Sequence, residues 1–136
     1  MKLTMTCLLT VLLLPFTASA AGRDDLLNTY AAAAKAASSA YSGFSPARGE
    51  KLHSTQFATG KAETPSCTTC HAANPRLGGR TPSGKVIEPL AVSVNQARYS
   101  DPLKVEKWFR RNCIEVLGRE CTPLEKGDWL STMISQ

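Results

Sequence analysis

Long hydrophobic runs are nearly absent from this chain of 136 residues. The one such stretch, residues 8–16, is too short to span a bilayer, so no transmembrane helix is predicted. Lys2 precedes it and Ala18-Ser19-Ala20 follows it, which is the pattern of a secretory signal peptide with its cleavage site. We therefore predict that residues 1–20 are removed and that residues 21–136 form one exported, periplasmic domain. An uncleaved anchor is the alternative.

Charge patterns that mark nucleic-acid binding are also missing. The formal net charge of +5 drops by one when Lys2 leaves with the signal, and no dense Lys/Arg run is interleaved with aromatics. We expect no nucleic-acid partner and a mildly basic surface that suits an acidic protein partner. No pair of Asp/Glu residues and no Ser-His-Asp set indicates a hydrolase.

Strand patterns are missing as well, so the chain is predicted to be all-α. Helix start and stop signals predict four helices: an Ala-rich helix at about 24–40, a second at 46–56, a third that begins at 102 and ends before Gly118, and a last one that begins at 123. The segment 64–102 is rich in Gly, Pro, Ser and Thr, and it is too long for a plain connection in so small a domain. Something other than regular structure must organise it.

That segment contains Cys67-Thr68-Thr69-Cys70-His71, the attachment signature of a c-type haem. Two thiols one short turn apart can each bond a vinyl group of the same haem, and the adjacent histidine then reaches the iron as an axial ligand. A zinc site would need a second ligand pair, and a thioredoxin-like site would need a βαβ setting. We predict one covalent haem c, attached through Cys67 and Cys70, ligated by His71 and wrapped by the long loop.

The ligand on the other face of the iron is left open by these patterns. Methionine is scarce, and Met133 lies on an apolar face of the last helix, where a core residue is expected. His53 lies in the second helix. Asn112 shares a helical face with Trp108 and Phe109, where an amide needs a partner: a haem propionate, a backbone carbonyl, a water or the iron itself. The chain could thus be an electron carrier closed by Met133 or His53, or a haem protein closed by Asn112.

Two cysteines, Cys113 and Cys121, remain after the haem has taken its pair. Eight residues of straight helix would hold their Cα atoms about 12 Å apart, whereas a disulfide needs roughly 4.4–6.8 Å. A bond therefore requires the helix to stop and turn back, and Gly118 stands where that turn would occur. Export favours the bond over the alternative of free thiols. The bond would hold the neighbouring Asn112 in place.

Several stretches together resemble the sphaeroides haem protein family. The resemblance extends from residue 64 to near the end of the chain, and more loosely into the segment 49–56. The combination of C-x-x-C-H with RNC and GREC is far more specific than C-x-x-C-H alone. The stretches that carry it are TPSCTTCH at 64–71, SGKVIEPL at 83–90, VEKW at 105–108, RNC at 111–113 and GRECTPLEK at 118–126.

The resemblance implies a class I cytochrome c fold with one haem, ligated in the ferric state by His71 and Asn112. It also implies a disulfide between Cys113 and Cys121. Members of the family release the asparagine on reduction, and the open ferrous site binds oxygen, nitric oxide or carbon monoxide. The resemblance further implies electron partners, namely a dihaem cytochrome c and a membrane cytochrome b. Whether the chain turns over a substrate, stores a ligand or senses one stays open.

Two further residues are interpreted from the likeness to class I cytochromes c. In those proteins a proline carbonyl accepts a hydrogen bond from the axial histidine, and Pro89 is the counterpart expected for His71. An ordinary turn proline is the alternative. An aromatic residue often stands where this chain has His53, so the histidine is a departure, expected to be packed or exposed rather than a ligand.

Overall fold

The computed structural model describes residues 17–136; the rest of the predicted signal peptide lies outside the described part of the chain. The described residues form four α-helices, a 3-10 turn and a short antiparallel strand pair. In chain order these are α1 (Thr17–Ala37), α2 (Pro46–Ser54), the 3-10 turn Cys67–Thr69, β1 (Gly79–Arg80), β2 (Val86–Ile87), α3 (Pro102–Leu117) and α4 (Pro123–Ser135).

Side-chain caps begin three of the helices at the positions expected from the sequence. The Ser45 hydroxyl accepts from Arg48 N at 3.3 Å at the start of α2, and the Asp101 carboxylate accepts from Lys104 N at 3.2 Å at the start of α3. A reciprocal capping box opens α4. At the other end of α3, Gly118 takes a left-handed φ of 72° and stops the helix.

The ends of α1 and α2 differ from the predictions. Helix α1 is already formed at Thr17, the first described residue, whereas the prediction placed its start near 24; the alanines in this stretch favour helix. It ends before Ser38, whose hydroxyl accepts from Ala40 N at 3.2 Å and turns the chain. Helix α2 ends at Ser54 rather than 56, where the Thr55 hydroxyl donates to Lys51 O at 2.6 Å and competes with further helical bonds.

The structure adds one short strand pair to the all-α fold, although the sequence shows no strand pattern. Strands β1 and β2 pair antiparallel, with Gly79 opposite Ile87 and Arg80 opposite Val86. The Thr81 hydroxyl accepts from Lys85 N at 3.1 Å in the turn between them. Two residues are too few for an alternating hydrophobic pattern to appear, so the sequence carries no usable signal for this pair.

Helix α4 lies at the centre of the molecule and packs against α1 and α2. Its Leu130 and Met133 are fully buried. Asp128, also buried, accepts from Ser45 N at 2.7 Å and from Arg48 Nε at 2.7 Å, which ties α4 to the start of α2. The other buried members of the main core are Leu26, Tyr30, Leu90, Tyr99 and Val105.

Within residues 17–136, no helix is long and apolar enough to cross a membrane.

Candidate haem-binding site

The C-x-x-C-H motif forms one tight turn. Cys70 N donates to Cys67 O at 3.3 Å and His71 N donates to the same carbonyl at 2.9 Å. Ser66 and Thr69 bond each other across the start of the turn and hold it. The turn therefore brings both thiols and the imidazole close together, as attachment of a single haem requires.

The backbone of β1 packs directly on this motif. Arg80 N donates to Cys70 O at 2.8 Å. A Cβ at position 79 would lie 2.0 Å from the same carbonyl oxygen and 2.9 Å from the Cα of His71, so only glycine fits there. The short strand pair thus supports the motif from one side.

Burial shifts the pKa values of the side chains in the motif. Burial raises the pKa of the Cys67 thiol to about 11, and burial together with the charge of Glu115 raises the pKa of Cys70. Neither cysteine is in a disulfide. Burial, together with electrostatic repulsion from His53 and Arg98, lowers the pKa of His71 to about 4. The imidazole is neutral at pH 7, which is the form that ligates iron.

His71 Nδ1 is buried and has no hydrogen-bond partner among the described residues. The predicted bond from this atom to Pro89 is not formed in the structure. Instead, Arg98 Nε donates to Pro89 O at 3.0 Å, and Arg98 Nη2 donates to Glu88 O at 2.6 Å. The guanidinium offers several donors in a fixed fork and takes both carbonyls. A carbonyl oxygen has two lone pairs, so Pro89 retains the capacity to accept a second bond.

The face of α3 that carries Asn112 contacts the segment before the motif. Glu115, one turn after Asn112, accepts from Lys61 N through its carbonyl at 2.8 Å and from the Thr64 hydroxyl through its carboxylate at 3.5 Å. Residues three and four apart share a face of a helix. Trp108, one turn before Asn112, leaves 43% of its surface exposed. This face therefore lies between the buried core and the segment that leads into the motif.

The side chain of Asn112 is half-buried. Its amide makes no hydrogen bond with any other group in the part of the chain that the structure describes. The amide is therefore available to a group outside the polypeptide, whether a water molecule or another ligand.

A disulfide joins Cys113 to Cys121, with Cα atoms 5.5 Å apart. Both residues are buried. The separation is short because α3 ends at Gly118 and the chain turns back, as the sequence requires for such a bond. The bond anchors the last turn of α3 directly beside Asn112.

The two other sequence candidates for the sixth ligand are engaged elsewhere. Met133 is fully buried in the core, and its carbonyl accepts from Val92 N at 3.0 Å. His53 Nδ1 faces Trp129 Nε1 at 3.2 Å, and His53 Nε2 faces Ala72 O at 3.2 Å. Burial lowers the pKa of His53, so its ring is neutral at pH 7.

Sequence reasoning missed two contributors to this site. Arg98 holds the carbonyls of the loop at Pro89, and Trp129 bonds His53 across the interface between α2 and α4. A loop arginine and a core tryptophan stand in no local motif. No signal in the sequence near either residue indicates its role, because both contacts join distant parts of the chain.

The known proteins that this chain resembles are c-type cytochromes. The family model described as a domain of unknown function, DUF1924, matches residues 39–133. The chain is 48% identical over 89 residues to the cytochrome c-type protein SHP of Cereibacter sphaeroides, covering 65% of this chain and 69% of that protein. It is 32% identical over 114 residues to cytochrome c'' of Methylophilus methylotrophus, covering 83% of this chain and 79% of that protein.

Solved structures give the same result. The structure of oxidized SHP, described as an oxygen-binding cytochrome c, matches with a TM-score of 0.77 and 42% identity over 84% of this chain and 96% of that one. Oxidized cytochrome c'' from Methylophilus methylotrophus matches with a TM-score of 0.76 and 31% identity over 85% of this chain and 95% of that one. The predicted all-α cytochrome c fold and the covalent haem c are confirmed.

Proposed function

This chain belongs to the sphaeroides haem protein family of c-type cytochromes, and from that premise we propose that it is a redox-gated haem protein that binds diatomic molecules. Its relative SHP is described as an oxygen-binding cytochrome c. A solution structure of cytochrome c'', 31% identical to this chain, is described as giving insights into haem-ligand detachment. One relative of this chain is therefore described as binding a ligand, and another as detaching a haem ligand.

In the proposal, Cys67 and Cys70 hold the haem, and His71 and Asn112 ligate the ferric iron. The haem supplies the redox change and the site for the diatomic molecule. An amide oxygen is a hard and weak donor that suits Fe(III) better than Fe(II). Asn112 therefore leaves when the iron is reduced, and the freed position accepts oxygen, nitric oxide or carbon monoxide. A thioether such as that of Met133 would instead stay bound to Fe(II) and close the site.

One observation carries the proposal: the Asn112 amide is half-buried and without a hydrogen bond, on the face of α3 that contacts, through Glu115, the segment leading into the haem motif. The disulfide at Cys113 restricts the backbone beside it. Such a position lets the amide bind weakly and leave without disturbing the fold, since no other bond has to break.

The alternative, an electron carrier closed by Met133 or His53, has less support. Met133 would have to leave a fully buried position in the core to reach the iron. His53 has no free lone pair, because Nδ1 accepts from the Trp129 indole and Nε2 then carries the proton toward Ala72 O. Each change would break contacts that hold α2 and α4 together.

Electrons come, in this proposal, from another cytochrome in the periplasm, such as a dihaem cytochrome c. The outer face of α3 carries four exposed cations, Lys104, Lys107, Arg110 and Arg111. A face of this kind favours an acidic partner, and its attraction weakens with salt. The reduction rate by such a partner should fall as ionic strength rises, which stopped-flow mixing measures; a rate independent of salt would remove this part of the proposal.

The optical spectrum of the holoprotein tests the gate. We expect the ferrous protein to be high-spin and to shift completely when carbon monoxide is added. We expect Asn112→Ala to change the ferric spectrum, because the sixth ligand is lost or replaced by water, and to leave the ferrous spectrum as in the wild type. Asn28→Ala, an exposed amide on α1, is the matched control and should change neither spectrum.

A low-spin ferrous spectrum that ignores carbon monoxide would contradict the proposal and favour the electron carrier. Met133→Leu would then identify the ligand, because leucine keeps the volume and removes the sulfur. Oxygen consumption with an added reductant separates turnover from storage or sensing. Continuous consumption indicates an enzyme, whereas a single stoichiometric uptake indicates a carrier or sensor of the bound molecule.

A further inference from the structure

His53 is the one buried histidine outside the haem motif, and both of its ring nitrogens are engaged. The indole N–H of Trp129 is a donor only, so His53 Nδ1 must accept its hydrogen bond at 3.2 Å. The ring proton then resides on Nε2, which donates to Ala72 O at 3.2 Å. The order of donors runs from Trp129 through His53 to Ala72 and admits one tautomer.

The acceptor at the end of this series adjoins the haem ligand. Ala72 follows His71 directly, and the rings of His53 and His71 lie 6.3 Å apart between centroids. The donor at the beginning of the series belongs to α4. The two hydrogen bonds therefore connect the segment that carries His71 to the central helix of the molecule, through a side chain of α2.

Trp129 also contacts the helix that carries Asn112. Its ring meets Phe109 edge-to-face, with centroids 5.4 Å apart, and Phe109 precedes Asn112 by three residues on α3. Trp129 thus bonds His53 on one side and packs against Phe109 of α3 on the other. This indole therefore contacts both the histidine that is bonded next to His71 and the helix that carries Asn112.

We infer that His53 is a positioning residue: with Trp129, it holds the backbone after His71 at a fixed place and so sets the orientation of the His71 imidazole toward the iron. The inference rests on the proposed role of His71 as an axial ligand. It gives a reason for a histidine at a position where class I cytochromes c often have an aromatic residue. Only a group that accepts at one end and donates at the other can join an indole N–H to a carbonyl.

Three variants of the holoprotein test the inference. His53→Phe keeps an aromatic ring and removes both hydrogen bonds, Trp129→Phe removes only the indole donor, and His53→Gln retains an acceptor and a donor. Thr132→Val is the matched control, because it removes the 2.7 Å bond from the Thr132 hydroxyl to Pro46 O at the same α2–α4 interface, away from Ala72. The readouts are the iron–histidine stretching band of the ferrous protein, the g values of the ferric protein and the urea midpoint.

We expect His53→Phe and Trp129→Phe to shift both the stretching band and the g values, and His53→Gln to return them toward the wild-type values. Thr132→Val should lower the urea midpoint and leave both signals in place. The inference is overturned if the two Phe variants lower only the midpoint, as the control does. It is equally overturned if His53→Gln shifts the signals as far as His53→Phe, because ring packing would then be what matters.

This design separates the inference from the proposed gate. If ferrous wild-type protein is six-coordinate and has no five-coordinate iron–histidine band, the gate at Asn112 fails. The ferric g values still report the orientation of His71 and decide the role of His53. If His53→Phe does not fold, Trp129→Phe removes one of the same bonds with an aromatic ring still in the core, and its signals decide the outcome.

Discussion

Replacing Gly49 by alanine is a sharp test of the helix crossing that supports the haem motif. Gly49 is buried where α2 crosses α4. An added Cβ would lie 2.2 Å from the carbonyl oxygen of Asp128 and 2.2 Å from the Thr132 hydroxyl oxygen. The carbonyl oxygen is part of the backbone and cannot rotate away, so the two helices must separate by roughly 1.5 Å to restore ordinary contact.

The expected loss of stability combines three terms. Overpacking of a filled core costs about 1–3 kcal/mol, and loss of the hydrogen bond from Thr132 to Pro46 costs about 1 kcal/mol. Alanine favours helix over glycine by about 1 kcal/mol, which offsets the second term. The net effect of Gly49→Ala is a destabilisation of about 2 kcal/mol.

Urea denaturation of the ferric holoprotein, followed by far-ultraviolet circular dichroism, measures this loss. With a slope of roughly 1–3 kcal/mol per molar urea, the midpoint should fall by roughly 1 M. Ala47→Gly in the same helix is the matched control, because Ala47 is exposed and reports helix propensity without any packing change. An unchanged or raised midpoint for Gly49→Ala would refute the reasoning, because alanine would then fit between α2 and α4.

Two other perturbations have defined outcomes. The double variant Cys113→Ala/Cys121→Ala removes the disulfide, and its free energy of unfolding should fall by roughly 2.5 kcal/mol in the chain-entropy model. A smaller fraction of the ferric protein should be six-coordinate. An unchanged urea midpoint would contradict this prediction. Burial raises the pKa of Glu106, but hydrogen bonds from Lys126 and Tyr30 outweigh it and hold that pKa below its ordinary value. This stabilisation is complete above the pKa of the unfolded chain and is lost as pH falls through the folded value. Glu106→Gln should therefore flatten the fall in stability below about pH 4, and a fall equal to that of the wild type in thermal unfolding between pH 3 and 7 would contradict it.

Helix starts were predictable because a cap is a local device. Ser45 and Asp101 each bond a backbone N–H three residues ahead, so the partner is fixed by spacing along the chain. Gly118 is equally local, since a left-handed residue after the last turn ends a helix whatever surrounds it. Helix ends without such a device, as in α1, were predicted less accurately.

The proposed haem attachment residues rest on an equally local pattern, and their roles stay a prediction. Cys67, Cys70 and His71 lie within one turn, and their spacing alone matches the two vinyl groups and the iron of one haem. The bond from His71 to Pro89 stays a prediction, and the structure adds a donor to the same carbonyl, Arg98 Nε, from further along the loop. No motif near Pro89 in the sequence predicts its hydrogen bond with Arg98.

By itself, the sequence determined an all-α c-type cytochrome with a covalent haem, and it narrowed the sixth ligand to Asn112, Met133 or His53. Tertiary structure alone decided which of these is free of other bonds. Met133 is fully buried, His53 is bonded to a residue 76 positions away and Asn112 is unbonded. The physical reason is range: caps and haem motifs depend on neighbours in the chain, whereas burial and long-range hydrogen bonds depend on how α2, α3 and α4 pack, which no short stretch of sequence encodes.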